Sequence, residues 1–134
     1  TEVTCAEELR GKRILVAEDN ALNAEIILTI LKDYGIEAEL AGDGDIVIDM
    51  LERNQADYYD MILMDIQMPH MDGYEATKVI RRLEDRRAEI PIVAMTANAF
   101  EEDRKAAFAA GMNGHVAKPI EISRLLETMA ELLN

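Results

Sequence analysis

Glu18 and Asp19, Asp65, Thr96 and Lys118 carry side chains that could do chemistry together. Three carboxylates gathered in one place repel each other unless a cation neutralises them. An oxygen-only set without Cys or His suits Mg²⁺ (or Mn²⁺), which takes one or two carboxylates, waters and phosphate oxygens. Lys118 adds a point charge for an anion, and Thr96 adds a hydroxyl donor. A metal, an acceptor carboxylate, an ammonium and a hydroxyl make a site for phosphoryl transfer, where positioning and charge neutralisation do most of the work. The local alternative for Asp65 is a cap on the turn that follows it.

Convergence of these groups depends on the elements that carry them. Met-Ile-Leu-Met runs straight into Asp65, and Pro69 and Gly73 then break the backbone. A short continuous apolar run bounded by turn signals reads as a strand buried on both faces. Residues 13–17 form a second such run, ending in Glu18-Asp19. Ile92-Val93-Ala94-Met95 runs into Thr96 after Pro91, and residues 114–117 run into Lys118-Pro119. Residues 36–41 alternate apolar with Glu37 and Glu39, the pattern of an edge strand with one wet side.

Helices fill the gaps between strands. Asn20 caps one carrying Leu22, Ile26, Ile27, Ile30 and Leu31, which Gly35 stops. A second follows Gly42 and Gly44, with Ile46, Val47, Met50 and Leu51 on one face. Asp72 with Glu75 reads as a capping box before Ala76, Val79, Ile80 and Leu83. The arginines 81, 82, 86 and 87 fall on this helix with Glu84, Asp85 and Glu89, as a solvated face. A fourth helix starts at Asn98 to Glu101 and ends at Gly111, with Phe100 and Phe108 packing it, and a fifth turns Ile122, Leu125, Leu126, Met129 and Leu133 inward. Five strands alternating with five helices imply an α/β fold, a doubly wound parallel sheet with helices on both faces. Strand ends then share one rim, where ligands of open parallel sheets bind.

Composition sets the frame. One domain fits 134 residues, and no apolar run approaches the roughly 18 needed to span a bilayer. Residues 1–12 are polar and read as a linker or leader, leaving residues 13–134 as the domain. Cys5 stands alone, so no intrachain disulfide forms, which fits a cytoplasmic chain. A net charge of −13 argues against nucleic acid and anionic membrane as direct partners.

The sequence resembles the receiver domains of two-component response regulators over residues 13–133. Glu18-Asp19-Asn20, Met64-Asp65-Ile66-Gln67-Met68-Pro69, Asp72-Gly73, Thr96-Ala97 and Lys118-Pro119 stand at that family's positions and spacing. The resemblance implies a flavodoxin-like fold with strand order 2-1-3-4-5. It implies that Asp65 accepts a phosphoryl group from phosphohistidine on a histidine kinase or histidine phosphotransfer protein. Asp19 and Asp65 would ligate Mg²⁺ by side chain, Gln67 by its carbonyl and Glu18 through water. Lys118, the Thr96 hydroxyl and the Ala97 N–H would hold the phosphoryl oxygens, with Thr96 moving inward as a switch. A cis Lys118-Pro119 bond is expected. The fourth helix, fifth strand and fifth helix would shift with phosphorylation and serve as output or as the contact of a weak dimer. The chain would be a phosphoacceptor with self-catalysed transfer and dephosphorylation rather than a turnover enzyme.

His115 departs from the commonest pattern, which has Tyr or Phe as a switch side chain three residues before the lysine. It reads equally as a switch or as a strand-end histidine, while His70 reads as a solvated loop residue. The Asp-Ile-Gln-Met-Pro-x-Met-Asp-Gly wording and the Thr start favour an excised receiver of a hybrid sensor histidine kinase, whose parent chain could be membrane-anchored, over a stand-alone single-domain regulator. A flavin module is disfavoured because Glu18-Asp19 would repel phosphate. A haloacid dehalogenase-like phosphohydrolase needs a second acid where Gln67 stands.

Overall fold

The computed structural model describes residues 2–97 and 101–133. The chain forms α1 (Glu2–Leu9), β1 (Arg13–Ala17), α2 (Ala21–Asp33), β2 (Glu37–Ala41), α3 (Gly44–Arg53), β3 (Met61–Asp65), α4 (Gly73–Arg81), β4 (Ile92–Thr96), α5 (Glu101–Ala110), β5 (Gly114–Ala117) and α6 (Ile122–Leu133). All strand pairs are parallel, in the order β2-β1-β3-β4-β5. This is the expected doubly wound sheet, with β3 central and β2 at an edge.

Strand alternation divides the core in two. Leu15, Ile62, Met64, Ile92 and Ala94 meet Val47 and Leu51 of α3 and Ala76 and Ile80 of α4 on one face. Ile14, Val16, Met61, Leu63, Val93 and Met95 meet Ile27 and Leu31 of α2 and Leu125, Leu126 and Met129 of α6 on the other. Neighbouring positions of one strand thus feed opposite layers, as a period of two demands. Met61, Met64, Met68 and Met95 are buried in these layers as gap fillers.

The N-terminal segment, expected from the sequence as a linker or leader, carries regular structure. Glu2–Leu9 is a helix in which Ala6 and Leu9 are buried, and Leu9 packs in the same layer as Leu125 and Met129. Its apolar stripe is too narrow to announce itself; the α6 surface supplies the drive. The helices expected fourth and fifth are therefore α5 and α6.

Two local readings also change. α4 stops at Arg81, Arg82 caps it, and Arg86–Glu89 is a separate 3-10 turn capped by Asp85, so the four arginines do not share one helix face. Phe108 is 53 % exposed rather than packed. Phe100 and Asn98 lie outside the described residues.

Candidate phosphoryl-transfer site

Sheet register decides which side chains meet. Ala17 pairs with Met64, so the next residues, Glu18 and Asp65, leave the sheet side by side. Asp65 pairs with Met95, which sets Thr96 one step beyond. Thr96 in turn pairs with Ala117 and places Lys118 after it. A backbone bond from the Lys118 N–H to the Thr96 carbonyl, 2.8 Å, fastens that last step, and the Lys118-Pro119 bond is cis as expected.

The predicted acids converge. Glu18 and Asp65 are 2 % and 6 % exposed, Asp19 is open to solvent, and one carboxylate oxygen from each lies within 4.8 Å of the others. The Lys118 Nζ donates to Glu18 Oε2 at 2.8 Å and stands 3.3 Å from Asp65 Oδ2. Asp65 Oδ1 accepts the Gln67 N–H, and Glu18 Oε1 accepts the Asn20 N–H, each at 3.3 Å. Thr96, Ala97 and Gln67 line the same cavity of about 320 Å³, so every metal and phosphoryl candidate named from the sequence sits on one pocket.

Electrostatics follow from that crowding. Burial pushes the Asp65 carboxyl up, the neighbouring Glu18 charge adds to it, and Lys118 and the Gln67 N–H pull back, leaving a value of about 6. Burial acts to lower Lys118, but the hydrogen bond to Glu18 and the charge of Asp65 outweigh it and raise the ammonium above its ordinary range. The two shifts agree: the lysine gains two anions, whereas Asp65 gains one cation and one repelling neighbour. Oxygen donors alone, with Asp19 open to water, fit a hard divalent cation.

His115 does not enter this cavity; it lines a separate groove between α5, β5 and α6. His70 is exposed in the loop after β3 and touches Asp43 rather than the acids.

Sequence reasoning missed Asp43. Its carboxylate, 3 % exposed, caps α3 and accepts four N–H groups or ring contacts: Gly44 N at 2.7 Å, Met71 N at 2.8 Å, His70 N at 3.0 Å and His70 Nδ1 at 3.2 Å. It thereby ties the β3–α4 loop to α3. Gly44 is needed there, because a Cβ would collide with the Met71 carbonyl. Gly73 serves the loop's other end, where a Cβ would strike the carbonyl of Asp65 itself.

Comparison with known proteins meets this geometry directly. The response regulator receiver domain profile matches residues 14–130. The chain belongs to the response regulator receiver domain family. Hybrid signal transduction histidine kinase K of Dictyostelium discoideum is 39 % identical over 84 % of this chain. The Pseudomonas aeruginosa PA1611 sensor kinase receiver, solved with magnesium in its active-site cleft, is 38 % identical at a TM-score of 0.80, covering 92 % of this chain and 97 % of that one. The Saccharomyces cerevisiae Ssk1 receiver, co-crystallised with the histidine phosphotransfer protein Ypd1, is 27 % identical at a TM-score of 0.84, over 93 % of this chain and 90 % of that one. This receiver spans 10 %, 7 % and 13 % of the first three curated relatives it matches, all histidine kinases. It is a receiver domain of two-component phosphorelay. No helix among its described residues is long and apolar enough to cross a membrane.

Proposed function

We propose that Asp65 is the phosphoacceptor and that the donor is phosphohistidine on a histidine kinase or histidine phosphotransfer protein. An Asp65 oxygen attacks phosphorus, the P–N bond to imidazole breaks, and the leaving nitrogen takes its proton from solvent. The product is an acyl phosphate. Its hydrolysis reverses the logic: water attacks phosphorus and the P–O bond to Asp65 breaks. The observation that carries this reading is the paired approach of Lys118 to Glu18 and Asp65 at 2.8 and 3.3 Å.

Glu18, Asp19 and Asp65, with the Gln67 carbonyl, are the residues that would hold Mg²⁺, which supplies charge neutralisation when bound. Lys118 holds one phosphoryl oxygen as an ion pair, and the Thr96 hydroxyl and Ala97 N–H donate to others. Phosphorylation adds about two negative charges at this rim. Thr96 and Lys118 follow that charge, and β5 and the faces of α5 and α6 move with them as the output.

A partner docks beside the pocket. Leu22 and Ile26 of α2 are 66 % and 48 % exposed, and Ile26 shares an apolar hollow with Pro119 and Ile120. Asn23 and Lys118 line both this hollow and the acidic cavity. A helix bearing phosphohistidine can bury the apolar patch while presenting its imidazole to Asp65. The Ssk1 receiver's complex with Ypd1 supports this class of partner. Hybrid kinases among the relatives support an origin in such a chain over a stand-alone regulator. Residues 13–134 would be the receiver unit, cytoplasmic in that setting.

Borohydride reduction tests the assignment, since it converts an aspartyl phosphate to homoserine. Peptide mapping should find homoserine at position 65 and at no other acid.

A further inference from the structure

The acidic cavity of about 320 Å³ has a fourth carboxylate on its wall that the metal and phosphoryl assignments leave unused. Asp103, the third residue of α5, lines it together with Glu18, Asp19 and Asp65. Asp103 is not one of the acids whose oxygens gather within 4.8 Å of one another, so it is not a further ligand of the same ion. Ala106 and Ala107 stand one turn on along α5, and among the described residues no lysine or arginine pairs with Asp103. Its charge is felt nearby all the same. Burial raises the Tyr74 phenol above its ordinary range, and the Asp103 carboxylate adds to that ahead of Asp72. Tyr74 belongs to α4, so the field of Asp103 reaches from one helix to the next.

An acid in the first turn of a helix also complements the helix dipole. Glu102 does so from the adjacent position, but it is exposed and does not line the cavity. Both acids stabilise α5; only Asp103 adds charge to the pocket. In formal charge, Glu18, Asp19 and Asp65 balance Lys118 and a divalent cation, which leaves Asp103 in excess. An acyl phosphate at Asp65 carries about two negative charges, which widens that excess. A cavity of about 320 Å³ is roughly 8 Å across, about one Debye length at physiological salt, so the Asp103 charge is attenuated there but not cancelled. It repels a phosphoryl group without touching it and attracts the cation by the same law.

We propose that Asp103 tunes the phosphoacceptor pocket through its charge: it weakens the hold on the phosphoryl group, shifting the equilibrium at Asp65 toward release, and strengthens the hold on the divalent cation. No bond forms or breaks at Asp103. This role rests on the reading of Asp65 as phosphoacceptor and deepens it.

Mg²⁺ and trifluoroberyllate, an anion that binds an aspartate oxygen and copies the shape and charge of a phosphoryl group, test this role. Calorimetry reads the Mg²⁺ affinity, and fluorine NMR reads the trifluoroberyllate affinity at saturating Mg²⁺. At low salt Asp103→Asn should bind trifluoroberyllate about two- to fivefold more tightly and Mg²⁺ about two- to threefold more weakly, both effects fading by about 0.5 M salt. Asp103→Glu, which keeps the charge, should match wild type, and Glu102→Gln should move neither ligand. Opposite signs for an anion and a cation are the mark of charge, since a distorted pocket would weaken both. Weaker binding of both ligands by D103N, an equal effect of E102Q, or changes that ignore salt would each overturn the role of Asp103. Unchanged affinities in D103N, beside a wild type that binds trifluoroberyllate through Asp65, would reject that role alone. A wild type that binds Mg²⁺ but no trifluoroberyllate, or Asp65→Asn binding it equally well, would reject the acceptor reading and this role together.

Discussion

Lys118 lies closer to Glu18, at 2.8 Å, than to Asp65, at 3.3 Å. The last strand thus delivers one ammonium between two buried acids from the first and third. That placement keeps Asp65 reachable: the lysine is shared, so its salt bridge does not seal the nucleophile. It also makes Lys118 a group whose value appears only when more negative charge arrives.

Lys118→Met should therefore slow phosphorylation of Asp65 by a small phosphodonor about 10²-fold, the scale seen when one preorganised donor to developing charge is removed. Divalent-cation binding should persist, because the three acids remain. A labelling time course with tryptophan-free readouts such as intact mass, beside a calorimetric titration with Mg²⁺, separates the two effects.

Asp65 should set a pH slope in stability. Its folded pKa of about 6 lies above the ordinary value near 3.8, so ionising it costs the fold free energy. The favourable contribution is complete below the unfolded value and is lost as pH rises through about 6. Asp65→Asn removes that cost and should stabilise the metal-free protein at pH 7.5 by roughly 1–3 kcal/mol, with little gain at pH 4. Urea unfolding in chelator at both pH values reads this directly; equal effects at the two would count against it.

Asp43→Ala should release the β3–α4 loop. It leaves the His70 and Met71 N–H groups without this acceptor and the Gly44 N–H with only the Met71 carbonyl, a loss of about 1–3 kcal/mol. Burial acts to raise the Asp43 pKa, but the backbone donors of His70, Met71 and Gly44 and the His70 ring outweigh it and hold the carboxyl low. Its contribution is present above the unfolded value and lost as pH falls through the folded one. Wild type and variant should thus converge in stability on strong acidification, and Mg²⁺ affinity of the variant should fall several-fold at neutral pH.

Leu22→Glu and Ile26→Glu should separate docking from chemistry. Both side chains are exposed, so folding should be unaffected. Transfer from a phosphorylated histidine phosphotransfer protein should drop at least about tenfold, as expected for loss of an apolar anchor at an interface. Labelling by a small phosphodonor should not change. Equal losses in both assays would contradict the docking surface.

Much of the fold was legible because the strands of a doubly wound sheet are buried on both faces and read as unbroken apolar runs, as in residues 61–64 and 92–95. The rim site was legible for the same reason. Each run stops in a polar residue, and parallel strands present their ends together, so Glu18, Asp65, Thr96 and Lys118 were placed without any long-range information. What stayed hidden depends on surfaces the local sequence does not contain. α1 exists because Leu9 finds the layer of Leu125 and Met129, a partner at the other end of the chain. Asp43 stands before Gly44 in a pair common in turns, and its task of holding N–H groups 27 and 28 residues later has no local signature. Leu22 and Ile26 fit a helical apolar stripe, yet only the position of Pro119 and Ile120 shows that this edge of the stripe faces solvent beside the site.

The most direct measurement is intact mass after incubation with a small phosphodonor, with and without Mg²⁺, for wild type and Asp65→Asn. Wild type should gain one phosphoryl group only when Mg²⁺ is present, and the variant none. Labelling of Asp65→Asn to the same extent as wild type would contradict it.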